Sequence, residues 1–345
     1  MKKVLNAPDR AVEEMLRGME LAHGGRNGND GESGLIRRLS GQTVAVRADA
    51  PVSGKVAIVS GGGSGHEPAH AGYVGPGMLD AACAGEVFTS PSPEPVLEAT
   101  KAVDGGAGVF YVVKNYTGDV LNFEMAGELA GTEDIETDYV VINDDVAVED
   151  STHTTGRRGV AGTVLVHKIC GGAADDGKSL PEIKSLAARV NENVRSMGMA
   201  LTSCVPPERG EPIFDIAEDE MELGIGIHGE PGTERRKIEP ADSIVDMLLE
   251  KVLGDSVDYS GSGGQDVAVM VNGMGGTPLM ELYVAYARVH DVLAENGINV
   301  HGAPYVGEYM TSLEMAGFSV TLLKLDDEMK RYLAAPCSVA AGGLF

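Results

Sequence analysis

The feature that most restricts how this chain can fold is a repeated junction, an apolar run that closes on glycine. KVAIVSGGGSGHEP (55–68), GVFYVVKNYTGD (108–119) and MELGIGIHGEPG (221–232) all have this form. YVVINDDV (139–146) is a further strand-like run, and helical patterns lie between, at PEPVLEATKAV (93–103) and LNFEMAGELA (121–130). Strands alternating with helices predict an α/β architecture, a largely parallel sheet with helices on both faces. In such folds ligands sit beyond the carboxyl ends of strands, which is where these glycine loops fall.

The rhythm continues to the end of the chain. Val160, Val164 and Ile169 have helical spacing within 160–174. A helix over roughly 181–197 follows, with Ser179 and Glu182 spaced as a capping box and Pro181 in the first turn. Strand-like runs at 200–205, 221–229, 266–276, 298–307 and 318–325 then alternate with helices at 241–253 and 280–297. A chain of 345 residues accommodates two domains. We place them at 1–190 and 191–345, the boundary falling near 185–200. Residues 23–34 and 254–265 read as flexible loops.

The charge balance narrows the function. There are 52 acidic and 27 basic residues, a formal net charge of -25. Nucleic acids and anionic membranes are bound by basic patches, so neither is an expected partner. The acids are scattered rather than blocked, which describes an acidic surface of the kind a halophilic protein carries. The four cysteines form no CxxC pair and read as buried thiols of a reducing compartment. The N-terminus MKKVLN turns polar too soon for a signal peptide, and no stretch of about 18 apolar residues occurs, so a cytoplasmic protein is expected.

Several motifs carry chemistry. GGAADDGKS (171–179) matches the P-loop pattern, but it follows a helical stretch, not a strand, and Asp175 and Asp176 would repel phosphates. GGGSGHEP lacks both the P-loop lysine and the GxGxxG register, yet its glycines let backbone N–H groups approach a ligand closely. Lys114 and Asp119, at the end of another strand, read alone as an ordinary turn. His228, hemmed in by glycines, reads alone slightly better as a core histidine than as a catalytic one. No histidines are spaced as zinc ligands and cysteine support is missing.

Taken together, GGGSGHEPAHAGYVG, CAGEVFTSPSPEPVLEA, KNYTGDVLNFEMA, GRRGVAGTVLVHKI, GIGIHGEPG and VNGMGGTP resemble the dihydroxyacetone kinase K subunit, the family's dihydroxyacetone-binding component. The resemblance runs in order along essentially the whole chain. It implies two α/β domains of the DAK1 and DegV-like type, each a mixed, largely parallel sheet flanked by helices. It also implies that His228 adds to the C2 carbonyl of dihydroxyacetone as a hemiaminal, that Asp119 is the general base for the terminal hydroxyl, and that His66 assists proton transfer. Gly63, Ser64 and Gly65 would contribute loop contacts and Lys114 a hydrogen bond to substrate. Glu230, adjacent to His228, is a candidate to orient it. No cofactor is expected in this chain. The family holds Mg–ADP or ATP on a separate L subunit, which a phosphotransferase-system M component can recharge, and it forms homodimers. The chain length leaves no room for an appended L domain, so the donor is expected on a partner. Relatives that sense dihydroxyacetone without phosphorylating it supply the alternative reading.

Overall fold

The computed structural model describes residues 2–25, 34–148, 156–259 and 264–342. The parts of the expected flexible loops at 26–33 and 260–263 lie outside the described residues. Two sheets divide the chain. The first holds β1 (Ile36–Arg38), β2 (Val44–Arg47), β3 (Ala57–Ser64), β4 (Ala81–Val87), β5 (Val109–Lys114) and β6 (Thr137–Ile142), in the order β1-β2-β4-β3-β5-β6. Strands β4, β3, β5 and β6 are parallel, while β1 and β2 add an antiparallel edge. Every residue of β3 and β5 is buried, as expected of central parallel strands covered on both faces.

The second sheet holds β7 (Val194–Ala200), β8 (Glu220–Leu223), β9 (Glu234–Lys237), β10 (Gln265–Gly273), β11 (Ile298–Val300), β12 (Tyr305–Gly307) and β13 (Gly317–Lys324). Its spine β10-β13-β7-β8-β9 is antiparallel, and only β11 and β12 join β10 in parallel. Both sheets are mixed, as expected, but the parallel character belongs to the first.

The helices are α1 (Ala11–His23), α2 (Pro93–Val103), α3 (Thr117–Gly131), α4 (Gly162–Asp175), α5 (Leu180–Asn193), α6 (Ala241–Leu253), α7 (Leu279–Glu295) and α8 (Asp327–Leu333). Val96, Ala99 and Phe123 of α2 and α3 cover one face of the first sheet. Val245, Leu249, Leu282 and Val289 of α6 and α7 cover one face of the second. Between the sheets lie α4 and α5, in a core shared with Ile58 and Phe110 on one side and Met270 and Leu323 on the other. All of α4 except Asp175 is buried, the signature of a helix apolar on every face.

Three boundaries differ from the sequence reading. The helix expected to reach residue 197 stops at Asn193, because Val194–Ala200 is a fully buried strand between β13 and β8. The strand expected at 200–205 is therefore displaced to 194–200. The run 221–229 leaves the sheet at Leu223, where Gly224 takes φ +74°, a conformation that ends a strand. The run 298–307 splits into β11 and β12 around Gly302, at φ +69°. The capping box at Ser179 and Glu182 is present. Among the described residues no helix is long and apolar enough to cross a membrane.

Candidate active site

The first wall of the site grows from β3. Its register against β4 shifts between Gly63 and Ser64, a bulge that swings the chain out of the sheet just before His66. Gly63 has no room for a side chain, since a Cβ would stand 2.6 Å from the Thr89 nitrogen and 2.8 Å from backbone carbons of Phe88. The Ser64 hydroxyl donates to the Gly85 carbonyl at 2.7 Å. The Gly65 N–H donates to the Glu67 carboxylate at 3.0 Å. Both groups are thus already bonded, Ser64 to β4 and Gly65 within its own loop.

His66 is fully buried. Its Nδ1 lies 2.8 Å from the Thr311 carbonyl, and a carbonyl only accepts, so Nδ1 carries the hydrogen. Its Nε2 has no hydrogen-bond partner among the described residues. Burial first, then the charge His228 bears when protonated and the charge of Lys114, holds the His66 pKa well below the ordinary histidine value. The ring is neutral, with a bare lone pair.

The second wall comes from the β5–α3 turn. Asp119 lies in the first turn of α3, where the helix dipole favours a carboxylate. It is 2% exposed, its Oδ1 has no hydrogen-bond partner among the described residues, and its Oδ2 stands 3.7 Å from the Lys114 Nζ. Lys114 is fully buried and lies 2.8 Å from His70 Nε2. Burial lowers its pKa while Asp119 opposes the shift.

The second sheet contributes one loop. After β8 the chain turns at Gly224 and again at Gly229, φ +71°, and presents His228 between them. The His228 Nδ1–H donates to Glu230 Oε1 at 3.1 Å, and its backbone N–H donates to Oε2 at 2.9 Å. The remaining ring nitrogen, Nε2, makes no hydrogen bond to the described residues; in the neutral ring it carries the lone pair. The ring meets Tyr116 at 4.5 Å, His66 at 4.7 Å and Phe88 at 5.2 Å between centroids, each edge-on. Burial pushes the Glu230 carboxyl up, but the His228 hydrogen bond, the charge that ring bears when protonated and the Arg158 charge bring it down to about 2. Arg158 is itself gripped by Asp145 at 2.7 Å and the Gly224 carbonyl at 2.8 Å.

This constellation is now comparable with known proteins. A Dak1 domain model matches residues 30–341. The chain belongs to the Dak1 family. It is 54% identical to the Listeria innocua PTS-dependent dihydroxyacetone kinase 1, dihydroxyacetone-binding subunit DhaK, over 95% of each chain. It is 43% identical to the Escherichia coli PEP-dependent subunit over 99% of each. Among solved structures, the dihydroxyacetone kinase of C. freundii superposes with a TM-score of 0.87 at 34% identity, over 98% of this chain and 60% of that one. The dihydroxyacetone kinase operon co-activator DhaQ superposes with a TM-score of 0.86 at 37% identity, over 95% and 97%.

Within this Dak1 chain the structure brings together His228, His66, Asp119 and Lys114 from both sheets. The P-loop match does not form a phosphate loop. Gly172 lies inside α4, Lys178 pairs with Glu182 and Glu328, and Ser179 caps α5. Residue-by-residue reading missed Tyr116, Phe88 and Arg158 around the His228 ring, and His70 behind Lys114. Tyr116 sits inside KNYTGD, so its place in that motif was a usable signal. Phe88 and Arg158 likewise sit inside CAGEVFTSPSPEPVLEA and GRRGVAGTVLVHKI, but only tertiary packing brings them to the site.

Proposed function

We propose that this Dak1 chain is the substrate-binding subunit of a dihydroxyacetone kinase and holds the ketone covalently on His228. The observation that carries this reading is the His228–Glu230 pair. A carboxylate at Nδ1 fixes the tautomer, so the Nε2 lone pair faces the site. That lone pair attacks C2, and the carbonyl π pair moves onto oxygen. The oxygen gains one proton and Nδ1 gives one up, leaving a neutral hemiaminal. Glu230 and the His66 Nε2 lone pair are the groups placed to relay that proton. Asp119 then takes the proton of the terminal hydroxyl as its oxygen attacks phosphorus. Lys114 donates to the substrate, and Gly63, Ser64 and Gly65 line it. The covalent step also selects substrate, because glycerol has no carbonyl and shape alone discriminates poorly between such molecules.

In this reading an L subunit holds the nucleotide with magnesium, positions phosphorus and neutralises its charge; ATP is the donor, and its bond between the γ- and β-phosphates breaks as the substrate oxygen attacks, leaving ADP. A phosphotransferase-system M component recharges it, in keeping with the relatives named PTS-dependent and PEP-dependent. The chain works as a cytoplasmic homodimer with a halophilic acidic surface. Its domains divide near residue 190, with Asp119 and His66 on one and His228 on the other. The test is carbon NMR with dihydroxyacetone labelled at C2. The ketone signal should give way to a tetrahedral carbon, and the His228→Ala protein should keep the ketone. An unchanged ketone signal in the folded wild type would end the covalent reading.

The likeness to an operon co-activator favours a second reading, a dihydroxyacetone sensor. A sensor needs the adduct but not the base, and the presence of Asp119 and His66 weighs toward turnover. Phosphorylation measured with the cognate L subunit separates the two.

A further inference from the structure

Behind Lys114 lies a line of polar side chains that the chemistry above leaves unused. His70 Nε2 is 2.8 Å from Lys114 Nζ. His70 Nδ1 is 3.4 Å from the Ser60 hydroxyl, and His167 Nε2 is 3.1 Å from the same oxygen. All four side chains are buried. They come from different elements, Ser60 from β3, His70 from the loop after it, Lys114 from β5 and His167 from α4.

The direction of these hydrogen bonds is forced. The Ser60 O–H donates to the Val112 carbonyl at 2.6 Å, so its oxygen can only accept from the two rings. His167 Nε2 and His70 Nδ1 therefore carry hydrogens, and His70 Nε2 is left with its lone pair. That lone pair faces an ammonium, which only donates. The Lys114 ammonium thus donates to His70 Nε2 and, at 3.4 Å, to the Gly61 carbonyl, which leaves one hydrogen for the side of the substrate and of Asp119 Oδ2, in ion-pair range at 3.7 Å. Burial holds both rings neutral, His70 well below the ordinary value and His167 down to about 3, with Lys114 adding to each shift. A buried ammonium stripped of an acceptor keeps its desolvation cost, so it moves toward whichever acceptor remains.

We propose that His70 is a positioning residue for phosphoryl transfer. Its Nε2 anchors Lys114 in ion-pair range of Asp119 Oδ2 but short of a hydrogen bond, so that Oδ1 stays free to take the substrate proton. Ser60 fixes the tautomer that makes this possible. The inference rests on the kinase reading above. Without the His70 acceptor, Lys114 swings onto Asp119 and ties up the base.

The test compares His70→Leu, which deletes the acceptor, with His70→Gln, whose amide oxygen restores it. Each is assayed with the L subunit for kcat and KM, and by carbon NMR for the adduct. His70→Leu should lower kcat about 10–100-fold, the range usual for partners that orient a reacting group, with KM and the adduct retained. His70→Gln should recover most of kcat. Ser60→Ala, a smaller change, should lower kcat several-fold and serves if His70→Leu does not fold. Equal kcat in wild type, His70→Leu and Ser60→Ala would overturn the proposal, as would equal losses in the Leu and Gln proteins. A wild type that forms no adduct and turns nothing over would defeat the kinase reading instead, and the role of His70 with it.

Discussion

The two sheets supply unequal halves of one site. The first-sheet half carries His66, Lys114 and Asp119, all buried, on strand ends and a helix start. Their bonds reach across the fold, from Thr311 to His66 and from His70 to Lys114. The second-sheet half is a single loop whose His228 is 18% exposed and is held by Glu230, two residues away. One half is fixed by the core, the other by a local turn. The base and its lysine are placed by the same packing that stabilises the fold. The nucleophile is placed by a short turn at the mouth, where a ketone can reach it. Substitutions in the loop should therefore change chemistry with little loss of stability, whereas those around β3 divide according to whether a backbone or a side chain must yield.

The sharpest contrast between the halves is functional. Asp119→Ala should lower kcat about 10²–10⁴-fold, the span for a positioned base, while the C2 adduct on His228 still forms. An Asp119→Ala protein with full turnover would remove the base from the first-sheet half.

Two neighbouring glycines sharpen the comparison within that half. A Cβ on Gly62 would run into the Lys114 Nζ, the far end of a flexible side chain, whereas a Cβ on Gly63 meets fixed backbone of Phe88 and Thr89. Gly63→Ala should destabilise the fold by about 1–3 kcal/mol, the usual cost of overpacking, read as a lowered urea midpoint. Gly62→Ala should lose kcat, because it displaces the lysine, on top of the strain of placing a side chain at φ +159°. If both lost stability equally and kcat not at all, Lys114 would not be the group that Gly62 accommodates.

How far the sequence revealed this follows the same division. The apolar runs ending in glycine located β3, β5 and the His228 loop, because each strand's buried residues and its turn are contiguous in the chain. β1, β2 and β4 were missed. The first two are only three and four residues long, and in AACAGEV small residues replace the β-branched ones that usually mark a strand. The helix expected to 197 was overrun because VRSMGMA follows a good helical face without a glycine stop, and only pairing with β13 makes it a strand. His228, His66, Asp119 and Lys114 stood out as polar residues in glycine loops. Glu230 was visible only as a neighbour, and its bidentate grip on His228 depends on the turn at Gly229. His70 and His167 meet only because α4 packs beneath β3, and no local pattern carries that.

The smallest expected effect tests the loop half. Glu230→Gln keeps a hydrogen-bond acceptor at His228 Nδ1 but removes the charge. Charge-assisted hydrogen bonds are worth about 1.5–3 kcal/mol against about 1 for neutral ones, so the adduct should weaken by about tenfold or less, with the melting temperature lowered modestly at neutral pH. The pH dependence separates a paired carboxylate from a mere neighbour. Folding lowers the Glu230 carboxyl from its ordinary 4.5 to about 2, burial being outweighed by the His228 hydrogen bond and by the charges of His228 and Arg158. A carboxylate lowered on folding contributes its full stabilisation above pH 4.5 and loses it as pH falls through 2. The stability gap between wild type and Glu230→Gln should thus be constant above 4.5 and close between 4.5 and 2. A gap that stays level across that window would mean the pair contributes nothing through charge, and the loop would then hold His228 by its turn alone.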